Sequence, residues 1–239
     1  MPTAVILAGR IGESDCEAIG DGLLAQPVNA LTSLAYVAVA VWVVVWSRRL
    51  DPSERRYAAA YAAVLAAIGL GSVAFHGPMP SWAKFVHDLP IALLFVVVLA
   101  QALAAAGPGR RGVTAVVVAG TVVALTAGFW FLPGVTIGLS GVVAVAALGA
   151  ETRRWVARRT PPPPETLRAY AGAVGLFLVA AGLNALGRTG GPLCDPETLL
   201  QLHGLWHVLG AVAFGLLAQG LFGASAEDPA DSMVGPSRS

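Results

Sequence analysis

Apolar residues fall in runs of about 20 along most of this chain, and charged residues gather between the runs. A helix rising about 1.5 Å per residue crosses a bilayer's hydrocarbon core in that length. Seven runs are present, at approximately 28–47, 58–76, 88–106, 113–132, 134–150, 169–187 and 199–222. The first stops at Arg48 and Arg49, and the second follows Arg55 and Arg56. The fourth and fifth are separated only by the turn Leu132-Pro133-Gly134, and a proline-rich linker, Thr160 to Pro164, precedes the sixth. In lipid, backbone amides must be satisfied within the spanning element, so such runs are helices. The pattern predicts an all-α membrane protein built as a seven-transmembrane helix bundle. Residues 1–27 form a segment before the bundle, 28–222 the bundle itself, and 223–239 a small, polar tail expected to be disordered.

Alternating the sides of the seven runs sorts the basic residues. One side collects Arg48, Arg49, Arg55, Arg56, Arg110, Arg111, Arg153, Arg154, Arg158, Arg159, Arg168 and Arg238; the other has only Arg10, Lys84 and Arg188. This 12-to-3 split predicts an N-terminus outside and a C-terminus in the cytoplasm. Trp46 and Trp155 then fall near inner helix ends, and Trp82 and Trp130 near outer ends, as an aromatic belt would have them.

Composition sharpens this. Charged residues are 12% of the 239, hydrophobic residues 56%, and mean hydropathy is +0.71. A soluble domain carries about 25% charged residues. A soluble enzyme, a nucleic-acid binder and a disordered chain are excluded. The net charge of +1 names no partner. Two cysteines are too few for a Cys-only zinc site or an iron–sulfur cluster. Met1 to Arg10 lacks the basic start of a signal peptide.

Ionisable groups in spanning segments are costly unless they are paired or face a cavity, so they point to function. Ser72 and His76 end the second run, His87 and Asp88 start the third, and His203 and His207 start the seventh. In the alternating topology all six lie at one depth, near the outer face. His203 and His207 are four residues apart, on one helix face, as in the H-x-x-x-H pairs of zinc enzymes. Three histidines from two helices with a position left for water is a catalytic zinc pattern. Asp88 is then a nearby carboxylate able to orient or deprotonate that water. The same residues suit more than one role. The histidine pair could carry haem or pack by hydrogen bonds, and the metal could be structural in a receptor-like protein. His87, beside Asp88, and Trp206 are read as neighbours of the site rather than ligands.

Ser72-Val-Ala-Phe75-His76, Asp88 and His203-Gly-Leu-Trp206-His207, taken in order, resemble the alkaline ceramidase family. That family belongs to a wider group of seven-helix hydrolases that includes the progestin and adiponectin receptors. Cys16-Glu17 and the stretch Asn29 to Ser33 are similar to the same branch, and the resemblance spans roughly residues 15–222. It implies a zinc amidase in which His76, His203 and His207 hold Zn2+, Asp88 activates water and Ser72 helps stabilise the oxyanion. It implies an N-acyl sphingoid, ceramide-like lipid as substrate and no obligate protein partner. Animal-type members carry an acidic calcium-binding segment before the first helix. Here Asp15, Glu17 and Asp21 are the candidate oxygen ligands for Ca2+, and Gln26 stands where a carboxylate would be expected.

Cys16 and Cys194 both fall on the outer side, where disulfides form, so a bond is expected between the N-terminal segment and the loop before the seventh helix. Two free buried thiols are the alternative. The composition, rich in Ala, Gly, Val and Arg, suggests a bacterial inner membrane, with the site near the periplasmic face.

Overall fold

The structure, a computed structural model, describes residues 11–105, 109, 111–157 and 161–223. Gly223, expected in the tail, instead ends the last helix, and the rest of the tail and Arg10, Arg110, Arg158, Arg159 and Arg238 of the charge count lie outside the described residues. Among the described residues the architecture is all helical. Seven helices follow one another: α1 Pro27–Ser47, α2 Pro52–His76, α3 Ala83–Ala104, α4 Arg111–Phe131, α5 Thr136–Val156, α6 Pro164–Leu186 and α7 Leu202–Gly223. A 3-10 turn, Pro133–Val135, joins α4 to α5, so the turn expected at Leu132-Pro133-Gly134 is where the chain reverses.

All but α5 are long and apolar enough to cross a membrane. The apolar part of α5 ends at Ala150, but the helix continues through Glu151, Arg153 and Arg154. Five of the seven helices also start before their apolar runs do, whereas α5 and α7 start after them. α2 begins at Pro52, whose ring suits a first helical turn, and takes Arg55 and Arg56 into the helix. α3 begins at Ala83, which takes Lys84 into the helix and moves His87 and Asp88 from its start into its body.

α1, α2 and α7 pack together, α6 lies along α7, and α3 connects α2 to α4 and α5. The core beneath the site is built from Tyr36, Val43, Tyr61, Leu65, Leu94, Phe214 and Phe222. Tyr61 is fully buried and donates its hydroxyl to the Phe214 carbonyl at 2.9 Å. Large apolar side chains such as Val116, Ile137, Val142 and Val145 face outward on α4 and α5, which suits lipid and not water.

Two local irregularities bring polar groups together. Pro90 sits inside α3, so the Val86 carbonyl has no helical donor. α2 passes this carbonyl at Gly71, where a Cβ would come within 2.0 Å of the Val86 oxygen. Only glycine permits that approach, and Ser72 and His76 follow it directly. The other irregularity is in α1, which is interrupted at Ser33 between helical segments Pro27–Thr32 and Leu34–Ser47. Ser33 turns its hydroxyl back to the Asn29 carbonyl at 2.7 Å.

Candidate metal centre

His76 is the last residue of α2, and His203 and His207 occupy the first two turns of α7. All three are buried. Their ring centroids are 5.0 Å (His76–His203), 5.2 Å (His76–His207) and 4.6 Å (His203–His207) apart. One ring nitrogen from each lies within 4.8 Å of the others. Among the described residues this is the one convergent set of three or more His, Cys, Asp or Glu side chains.

Hydrogen bonding shows which nitrogens are available. His76 Nδ1 lies 2.7 Å from Gln26 Oε1. His203 Nδ1 lies 2.8 Å from Asn184 Oδ1. His207 Nδ1 lies 3.1 Å from the Asn29 carbonyl, with the Ser33 and Thr32 hydroxyls at 3.2 and 3.3 Å. A carbonyl only accepts, so Nδ1 of His207 carries the proton. Nε2 of His76 and Nε2 of His203 are buried with no partner. Buried nitrogens without partners are rare and costly in a finished core. Imidazoles whose Nδ1 is held by an oxygen and whose Nε2 is free are prepared as metal ligands. The residues present therefore fit a metal ion.

Asp88 is one turn inside α3. Its carboxylate takes hydrogen bonds from His87 Nδ1 at 2.7 Å and Thr136 Oγ1 at 3.4 Å, and an ion pair from Lys84. It lines a cavity of about 340 Å³ together with His203, Asp15, His87, Thr136 and Ser140. The structure thus brings Asp88 to the same cavity as a histidine of the cluster, held by three neighbours of its own. The His87 ring sits 6.1 Å from that of His76 and 4.5 Å from that of Phe75. Ser72 is buried one helical turn below His76. Trp206, three residues after His203 on α7, meets Phe177 of α6, ring to ring at 5.1 Å.

The carboxylates considered for calcium part company. Glu17 accepts the Val28 and Asn29 amides at 2.7 and 2.8 Å, which caps the start of α1 from a distance in sequence. Asp15 is buried, 3.8 Å from His203 Nδ1, and takes the Ser14 hydroxyl. Asp21 is exposed. Asp15, Glu17 and Asp21 do not form a common set of oxygen donors.

Cys16 and Cys194 are joined in a disulfide, as expected. Around it the N-terminal strap and the loop before α7 exchange hydrogen bonds. Cys16 N donates to Thr189 Oγ1 at 3.0 Å, Thr189 N to the Ser14 carbonyl at 3.1 Å, and Ala18 N to the Pro196 carbonyl at 3.1 Å.

The Ceramidase family model matches residues 21–183. The chain belongs to the ceramidase family. A ceramidase-like hydrolase activity follows for the chain at the level of the family. The match ends within α6, so it is the fold that carries His203 and His207 to the family region and closes the cluster. A search of curated proteins finds no match.

The oxygens that hold the histidines were not legible from sequence spacing. Asn184 gave one signal, a carboxamide within the apolar run of α6. Gln26 stands out only as a carboxamide where a carboxylate would be expected, and the Asn29 carbonyl gives no signal, since a backbone oxygen has no side-chain chemistry to read.

Proposed function

We propose that this chain is a zinc-dependent amide hydrolase of the membrane that cleaves an N-acyl sphingoid lipid to a fatty acid and a sphingoid base. The observation that carries the proposal is the pair of partnerless, buried Nε2 atoms of His76 and His203 beside His207. His76, His203 and His207 would hold the ion through three neutral imidazoles, the donor set of open catalytic zinc sites. When bound, zinc supplies a Lewis acid for the amide carbonyl and water of lowered pKa. Family membership supports the amide as the bond cleaved and a lipid as its carrier.

The chain's own residues divide the remaining work. Hydrolysis takes a proton from the attacking water and returns one to the leaving nitrogen. We assign that proton to Asp88, which shares the cavity with His203. His87, Thr136 and Lys84 hold its carboxylate in place. Ser72, next to the ligand turn, is assigned to hydrogen-bond the carbonyl oxygen as it gains charge. This reading assigns calcium no step; the Glu17 oxygens each accept a backbone amide at the start of α1. The chain is a multi-pass membrane protein. We place its C-terminus in the cytoplasm and its site near the outer face from the 12-to-3 basic split; a C-terminal reporter found outside would reverse both.

Metal analysis of purified protein with an absorption spectrum, followed by turnover of a labelled N-acyl sphingoid base, tests the whole. About one zinc per chain, no Soret band and release of fatty acid are expected. Zinc without turnover of any N-acyl lipid would favour a receptor-like role, and no metal would sink the proposal.

A further inference from the structure

We infer that Gln26 is a positioning residue: its carboxamide, clamped by the N-terminal strap, sets the tautomer and the direction of His76 in the metal site. The inference rests on the metal-site reading above and extends it to a residue outside the helices.

Gln26 is fully buried just before α1. Its Nε2 donates to two backbone carbonyls of the strap, Gly12 at 2.9 Å and Glu17 at 2.8 Å. An amide nitrogen has two hydrogens, and both are committed there. The partners thereby decide which end of the amide faces the histidine, a choice that the shape of the side chain alone does not make. Oε1 is left pointing at His76 Nδ1, 2.7 Å away. An oxygen without a hydrogen can only accept, so Nδ1 of His76 must be the protonated nitrogen. Nε2 is thereby left as a bare lone pair, the buried atom that has no partner.

The backbone reinforces the aim. Gln26 N donates to the His76 carbonyl at 2.8 Å and Ala25 N to the Gly77 carbonyl at 3.1 Å, so main chain and side chain hold the end of α2 together. Gly12 completes the clamp. It sits at φ +76, in the left-handed region, and a Cβ there would come within 2.6 Å of Gln26 Oε1. The strap can approach Gln26 this closely only because position 12 has no side chain.

A buried glutamine that merely fastens the strap predicts a different outcome from one that prepares a ligand. Zinc affinity of the full-length chain, measured by chelator competition, separates them in Gln26→Met, Gly12→Ala and Gln101→Met. Gln26→Met keeps the shape and removes the acceptor. Gln101→Met removes an equally buried amide at the opposite end of the bundle. Gln26→Met should weaken zinc roughly 10–100-fold and shift the visible spectrum of the cobalt(II)-loaded protein. Gly12→Ala should weaken it in the same sense, and Gln101→Met should leave it unchanged. Unaltered zinc affinity and cobalt spectrum in Gln26→Met would overturn the inference, as would an equal loss in Gln101→Met. Should Gln26→Met not fold, ¹⁵N NMR of His76 in metal-free wild-type protein decides. A proton on Nδ1 is expected, and a proton on Nε2 overturns the inference. Wild-type protein that takes up no zinc would sink the function proposed above, while the tautomer still tests Gln26.

Discussion

Two polar clusters are buried at opposite ends of this bundle, and they differ in what they leave unused. At the end opposite the histidines, the Glu151 carboxylate takes Arg154 Nε at 2.8 Å and Arg154 Nη2 at 2.7 Å. It also takes Trp155 Nε1 at 2.8 Å and the Tyr170 hydroxyl at 2.9 Å. Gln101 Nε2 and Arg154 Nη2 then satisfy the Leu221 carbonyl near the end of α7. The loose end there is Gln101 Oε1, a single acceptor. The histidine end commits every Nδ1 and leaves Nε2 of His76 and of His203 without a partner in a convergent set. The Glu151 cluster is a latch that ties α5 to α6 and α7. Burial of charge in lipid therefore does not separate function from structure. Convergent nitrogens without partners do.

The contrast can be broken most directly at the histidines. His203→Ala and His207→Ala should each lose most of the bound metal by elemental analysis, while Glu151→Gln keeps it. Full metal retention in both histidine variants would remove the distinction between the two ends.

Next in size is Asp88→Asn, which preserves shape and much of the hydrogen bonding but not basicity. Amide hydrolysis should fall by roughly 10²–10⁴-fold with zinc content near wild type. Loss of zinc in this variant would make Asp88 a ligand.

Glu151→Gln should act on stability instead. It leaves Arg154 buried without its carboxylate, a change that typically costs about 3–5 kcal/mol. Thermal unfolding in detergent should shift down while zinc per folded chain stays constant. A falling zinc affinity would show that the latch and the metal site are coupled.

Opening the Cys16–Cys194 disulfide should cost less, about 2–4 kcal/mol, and release the strap from the loop before α7. Zinc affinity should drop with it, by less than in Gln26→Met. Mass mapping that finds both thiols free in the native protein would remove this tether. Ser72→Ala should be the mildest, about 0.5–1.5 kcal/mol in transition-state binding for one neutral hydrogen bond, read as kcat/KM.

The sequence by itself determined the spanning helices, because a bilayer requires long apolar runs and the runs are visible as composition. It also exposed His76, Asp88, His203 and His207, because each is expensive in lipid and stands out against its neighbours. The apolar run of α3 begins at residue 88, five residues after the helix does at Ala83, because polar residues of a helix's first turns do not look apolar. Tertiary structure alone decided that the three histidines face one another and that Nε2 of His76 and of His203 is left without a partner. That arrangement depends on Gln26, Asn184 and the Asn29 carbonyl, which lie 50, 19 and 178 residues from the imidazoles they hold. It depends too on Gly71 passing the Val86 carbonyl that Pro90 leaves free. Such pairings are set by packing between distant segments, and a hydrogen bond of that kind leaves no periodicity in the chain to read.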